Sequence, residues 1–120
     1  MDADALRDAL TAVESILDSG GEADDVLRDV CRVLHDRAGY PWVGIELVEG
    51  EDLILGPSQG GDPPPERIRF PVAYGGNVVA ELSVAGTPAA DEAALLERVA
   101  VLISPYCLVG WDTGGERWTP

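Results

Sequence analysis

The chain has 120 residues, enough for one domain whose single core hides roughly two-thirds of the unfolded surface. Its 22 acidic and 8 basic residues give a formal charge of −14, which argues against phosphate-rich partners: DNA, RNA or an anionic membrane surface. All eight basic residues are Arg, so Schiff-base chemistry, a pyridoxal phosphate anchor and a Walker A lysine are excluded, and one His with two Cys falls short of a four-ligand Cys/His zinc site.

The first predicted element is a helix over residues 4–18, where Leu6, Leu10, Val13 and Leu17 repeat at helical spacing before Gly20-Gly21 stops the run. A second helix covers residues 22–38, with Val26, Leu27, Val30, Cys31 and Leu34 on its apolar face, then Gly39 and Pro41. The period then changes to two. Residues 42–48 read as a strand with Val43, Ile45 and Leu47 on one face. A three-residue turn at Glu49-Gly50-Glu51 places Leu47 opposite Leu53 and Ile45 opposite Leu55. Residues 56–66 read as a loop, because three consecutive prolines do not sit inside a sheet.

The third and fourth strands are expected over residues 67–72 and 77–84, joined at Tyr74-Gly75-Gly76. Aligning their apolar faces sets Val72 opposite Val78, Phe70 opposite Ala80, and Ile68 opposite Leu82. The same register places Arg69 opposite Glu81 and Arg67 opposite Ser83. A last helix covers residues 89–109, capped by Thr87 or Asp91 and kinked at Pro105. The layout is α+β: an antiparallel sheet of about four strands with helices on one face, in one domain over residues 1–120. Residues 1–21 form its N-terminal helix and residues 110–120 its tail. Trp111 and Trp118 are expected to bring that tail back onto the outer sheet face or a helix edge.

The outer face is polar apart from Trp42, Ile54 and Val79, and it carries the candidate ligand-binding residues Trp42, Arg67, Arg69 and Glu81. Two readings stay open. Arg67 and Arg69 hold an anionic ligand with Trp42 stacked on it, or the face is solvated and its ion pairs, with Glu46 and Glu81, contribute about 0–1 kcal/mol. No catalytic residue is expected. Cys31 and Cys107 lie on apolar helical patterns and read as small core residues. His35 has neither a nucleophile nor an orienting acid in pattern. Ser58 stands in a Gly-x-Ser-x-Gly string, Gly56-Pro57-Ser58-Gln59-Gly60, which precedes prolines and not a helix. No metal and no cofactor are implied. The N-terminus lacks a basic and apolar leader pattern, and no run approaches the ~20 apolar residues of a membrane span, so a cytoplasmic protein is expected.

Trp42-Val43-Gly44-Ile45-Glu46-Leu47, followed by Leu53-Ile54-Leu55-Gly56-Pro57-Ser58-Gln59-Gly60, resembles a GAF domain. The likeness is nearest to the free methionine-(R)-sulfoxide reductase group. Ile68-Arg69-Phe70-Pro71-Val72 and Val79-Ala80-Glu81-Leu82-Ser83-Val84 are similar to the family's final hairpin, and residues 91–100 to its closing helix. The resemblance implies a minimal GAF-like fold. It also implies a ligand-roofing segment, which in the reductases carries the catalytic cysteines. Here Gly61-Asp62-Pro63-Pro64-Pro65-Glu66 stands in its place, the family glycine before Glu-Leu is Ala80, and Cys31 and Cys107 match neither catalytic position.

The resulting expectation is a truncated, non-catalytic GAF-like module that regulates or signals through protein contacts. The alternatives are a sensor that still binds a small molecule and a residual thiol-dependent redox enzyme. Heptad-like stripes on the terminal helices, together with the resemblance, lead to an expected homodimer through those helices, and an unidentified protein partner is also expected.

Overall fold

The structure, a computed structural model, describes residues 3–108. The expected fold-back of Trp111 and Trp118 lies outside the described residues. The helical stripes form as the spacing predicts. Helix α1 spans Ala3–Ser19 and buries Ala9 and Val13, with Leu10, Ile16 and Leu17 partly covered. Helix α2 spans Ala23–Asp36, and its five predicted apolar residues are all buried. Helix α3 spans Ala90–Ile103 and turns Leu95, Leu96, Val99, Ala100 and Ile103 inward.

The ends of α3 differ from expectation. Neither Thr87 nor Asp91 caps it: Ala89 is the N-cap and offers no side-chain bond. The Asp91 carboxylate instead accepts the backbone N–H of its neighbour Glu92 at 3.0 Å. At the other end Pro105 does more than kink the helix. The chain leaves α3 at Ile103 and continues as a 3-10 helix over Ser104–Leu108. Proline has no N–H to extend the α-helical ladder. The Tyr106 hydroxyl donates to the Leu17 carbonyl at 3.3 Å and ties this segment to α1.

Four antiparallel strands form one sheet: β1 Val43–Glu49, β2 Asp52–Gln59, β3 Ile68–Tyr74 and β4 Asn77–Val84, in the order β2-β1-β4-β3. The helices pack on its inner face over Val43, Ile45, Phe70, Val72, Ala80, Leu82 and Val84. The architecture is therefore α+β. Each central strand pairs on both sides, and β2 and β3 are the edges.

Both hairpin registers correct the sequence reading. Glu49 pairs with Asp52, so the first turn has two residues, Gly50-Glu51, with Gly50 at φ 66°. A two-residue hairpin needs that positive φ, and glycine reaches it without strain. Leu47 therefore opposes Ile54 and Glu46 opposes Leu55. A one-residue slip exchanges faces. Leu53 and Leu55 consequently stand on the outer face beside Val48, and Ile54 joins the inner side. The strand also continues through Gly56-Pro57-Ser58, which the prolines made look like loop. A register shift opposite Gly44–Glu46 absorbs the extra residue, and an edge strand tolerates Pro57 as β3 tolerates Pro71.

In the second hairpin the register moves by two. Ile68 opposes Val84, Phe70 opposes Leu82 and Val72 opposes Ala80. A slip of two preserves faces, so the inner residues of β3 stay inner. Arg69, however, faces Ser83, and Pro71 faces Glu81. A bulge between Val72 and Ala73 then reverses the start of β4. Val79 is buried at 2% exposure, while Val78 pairs with Ala73 on the outer face and is 46% exposed.

Candidate functional site on the outer face of the sheet

The strand pairs arrange the outer face in cross-strand rows. At the loop end, Trp42 precedes β1, and its carbonyl accepts the Ala85 N–H at 2.9 Å. The next row contains Ser58, Gly44, Ser83 and Arg69. The middle row contains Leu55, Glu46, Glu81 and Pro71. At the turn end lie Leu53, Val48, Val78 and Ala73.

Trp42 is 2% exposed. Its indole lies against the bare backbone of Gly44: a Cβ built at Gly44 would fall 2.3 Å from the ring. The indole N–H donates to the Gly61 carbonyl at 3.1 Å, so the short loop after β2 closes over the ring's edge. The Arg67 guanidinium covers the ring at 5.5 Å from its centroid, within cation–π range.

Glu46 is the hub of the polar part. It is 7% exposed and stands directly opposite Glu81 on β4. Two facing carboxylates repel unless a cation lies between them. Arg67 supplies most of that compensation, with Nε 3.4 Å and Nη2 3.3 Å from the Glu46 carboxylate. The Ser83 hydroxyl donates to Glu46 at 3.1 Å. Arg67 Nη1 donates to the Pro64 carbonyl, which fastens the proline loop to the sheet. Arg69 bridges the acids more loosely, 3.9 Å from Glu46 and 3.5 Å from Glu81.

The structure thus brings Trp42, Arg67, Arg69 and Glu81 onto one face. Trp42 is buried with Arg67 over its ring. The expected partly exposed ion pair is present between Arg69 and Glu81, at 44% and 25% exposure, whereas the Arg67 and Glu46 side chains are only 14% and 9% exposed. The sequence reading treated Glu46 only as a counter-charge and did not single out Ser83. Alternation of Gly44, Glu46 and Val48 on one strand face was the available signal for a buried acid there. An open groove of about 540 Å³ runs beside this corner, lined by Pro65, Glu66, Arg67, Ile68, Gly86 and Thr87.

The remaining candidates lie apart from this face. Cys31 and Cys107 are free and buried in the helical layer. Burial pushes each thiol up to about 12, and Cys107 adds a further repulsive push on Cys31. The Cys31 Sγ contacts the Pro57 carbonyl at 3.5 Å. His35 Nδ1 lies 3.3 Å from its neighbour Asp36 at the end of α2. Ser58 lies within β2, opposite Gly44, and not at a strand-to-helix turn. Among the described residues no cluster of three or more His, Cys, Asp or Glu is placed to hold a metal ion, and no helix is long and apolar enough to cross a membrane.

No protein-family model and no curated relative matches the sequence. Solved structures do match the fold. The GAF domain of a phosphoenolpyruvate-protein phosphotransferase from Coxiella burnetii aligns with a TM-score of 0.77 at 11% identity, over 95% of this chain and 99% of that one. The free methionine-R-sulfoxide reductase from Neisseria meningitidis, solved with its substrate, aligns with a TM-score of 0.73 at 16% identity, over 92% and 94%. The A. aeolicus nlh2 GAF domain, in an inactive state, aligns at 0.70 and 12% identity, over 85% and 94%. The chain has the GAF-like fold. These similar structures include GAF domains and a free methionine-R-sulfoxide reductase, so function rests on the site.

Proposed function

We propose that this is a non-catalytic GAF-like module that regulates or senses through protein contacts. The observation that carries the reading is the closed loop end of the outer face. Trp42 is buried beneath Arg67, and Arg67 is engaged by Glu46 and the Pro64 carbonyl. The groups suited to recognising a small anion are engaged by one another. The thiols support the same reading: at neutral pH each is a buried neutral group, whereas nucleophilic cysteine chemistry uses the thiolate. The expected assembly is a cytoplasmic homodimer through the terminal helices, and Val101 on α3, 65% exposed, is a position free to meet a second copy.

A small-molecule sensor is the second reading. The groove beside Arg67 and Thr87 favours it, together with the half-exposed Arg69. The deciding experiment incubates the protein with free methionine-(R)-sulfoxide and a thiol reductant. No turnover is expected. Turnover abolished by Cys31→Ser or Cys107→Ser contradicts the non-catalytic reading. Saturable stabilisation by a small ligand, lost in Arg69→Gln, favours the sensor.

A further inference from the structure

The turn end of the outer face has an apolar surface that the closed corner does not use. Leu53 pairs with Val48 on one hairpin and Val78 with Ala73 on the other, both at the turn end of the sheet, and Leu55 and Pro71 extend these pairs by one row at the two edges. Leu53, Leu55 and Val78 are 37%, 41% and 46% exposed. Four strands span about 15 Å, which matches roughly three turns of an α-helix laid across them. The surroundings are acidic. Glu49, Glu51 and Asp52 at the adjoining turn are exposed, and none of them enters an ion pair among the described residues. Glu81 lies in the neighbouring row, and the base beside it, Arg69, is held by Glu81 and Glu46.

We infer that this band is the docking surface for a basic amphipathic helix of a partner protein, with Leu-, Ile- or Val-type side chains on the sheet and Arg or Lys toward Glu49, Glu51, Asp52 and Glu81. The inference rests on the contact-module reading and names the partner's chemistry. Charge selects this occupant over a second copy, because two chains of −14 meeting on this face would oppose acid to acid. Apolar contact with the sheet supplies the affinity and the carboxylates supply orientation and selection against acidic helices.

The test uses the full chain and a fluorescent peptide of about 16 residues, built from Leu and Arg with a helical apolar stripe. Its controls are a scrambled peptide of the same composition and a peptide with Glu in place of Arg. Saturable binding of the striped peptide is expected, with neither control binding comparably. The double variant Leu55→Thr/Val78→Thr keeps strand-compatible residues, and its Kd is expected to rise at least about tenfold, as loss of two apolar contacts requires. Val78→Arg is a second variant that weakens binding through charge as well as shape. A smaller rise in both variants, or equal binding of the scrambled peptide, overturns the proposal: attraction is then diffuse charge, and the contact reading survives only at another surface. Two further results overturn it in favour of other occupants. One is self-association of the wild type that the double variant lacks. The other is at least tenfold tighter peptide binding by Trp111→Ser/Trp118→Ser, which assigns the band to the chain's own C-terminal residues. Sulfoxide turnover by the wild type removes the underlying reading whatever the peptide does.

Discussion

The two ends of the outer sheet face solve the same problem in opposite ways. At the loop end a large aromatic, a buried acid and two arginines meet on the sheet. The loop after β2 folds over them, and bonds from Trp42 to Gly61 and from Arg67 to Pro64 hold it there. At the turn end a group of aliphatic residues meets no covering segment among the described residues, and Leu53, Leu55 and Val78 remain exposed. One end is thus internally complete, and the other is a surface with unused apolar area. The difference teaches that a shared fold does not settle where such a sheet does its work. The polar end resembles a recognition site in composition, yet its groups recognise one another.

The comparison breaks most sharply at Glu46. Replacing it with Ala leaves the Arg67 guanidinium nearly buried without its acid, a change expected to cost about 3–5 kcal/mol and measurable by urea unfolding. A loss below about 1 kcal/mol would place this pair in the class of surface ion pairs and open the corner to solvent. Gly44→Ala comes next. The new methyl has no room under the Trp42 ring, so a loss of about 1–3 kcal/mol is expected, together with a shift in Trp42 fluorescence.

A pH series probes the layer beneath both ends. The thiols of Cys31 and Cys107 are raised in the folded state from an ordinary 9.0 to about 12. The folded chain therefore keeps protons that the unfolded chain loses, and stability falls as pH rises from 9 toward 12. Replacing both cysteines with Ala should flatten that part of the profile relative to wild type. The remaining slope includes Tyr40, whose hydroxyl is also held protonated by burial and by its bond to Glu92. The smallest stability effect is expected at the turn end. Leu55→Thr and Val78→Thr should each change unfolding free energy by no more than about 0.5 kcal/mol, since both side chains are exposed. A large loss at either position would show that the band is covered within the chain.

The fold was legible wherever one period dominated. Five residues of α2 and the inner face of β3 were readable from spacing alone, because burial on one side imposes it. Registers were not readable, since they depend on turn length and bulges. Glu49-Gly50-Glu51 allows two turn lengths, and the choice moved Leu53 and Leu55 to the outer face. The bulge at Val72/Ala73 exchanged Val78 and Val79. Those two local choices created the apolar band, which the sequence reading therefore missed. The polar corner was partly legible: Trp42, Arg67, Arg69 and Glu81 do share a face. Its closure was not, because it depends on carbonyls of Gly61 and Pro64, and backbone acceptors carry no sequence signature.

Closure of the Trp42 corner is tested directly by quenching of that tryptophan. In Trp111→Phe/Trp118→Phe, Trp42 is the one remaining indole of the three in the chain. Acrylamide quenching of its emission should then be roughly an order of magnitude slower than for free indole, with a blue-shifted maximum, as burial under Arg67 and the loop requires. Emission like that of free indole, with fast quenching that a small ligand suppresses, would show an open pocket and contradict the account.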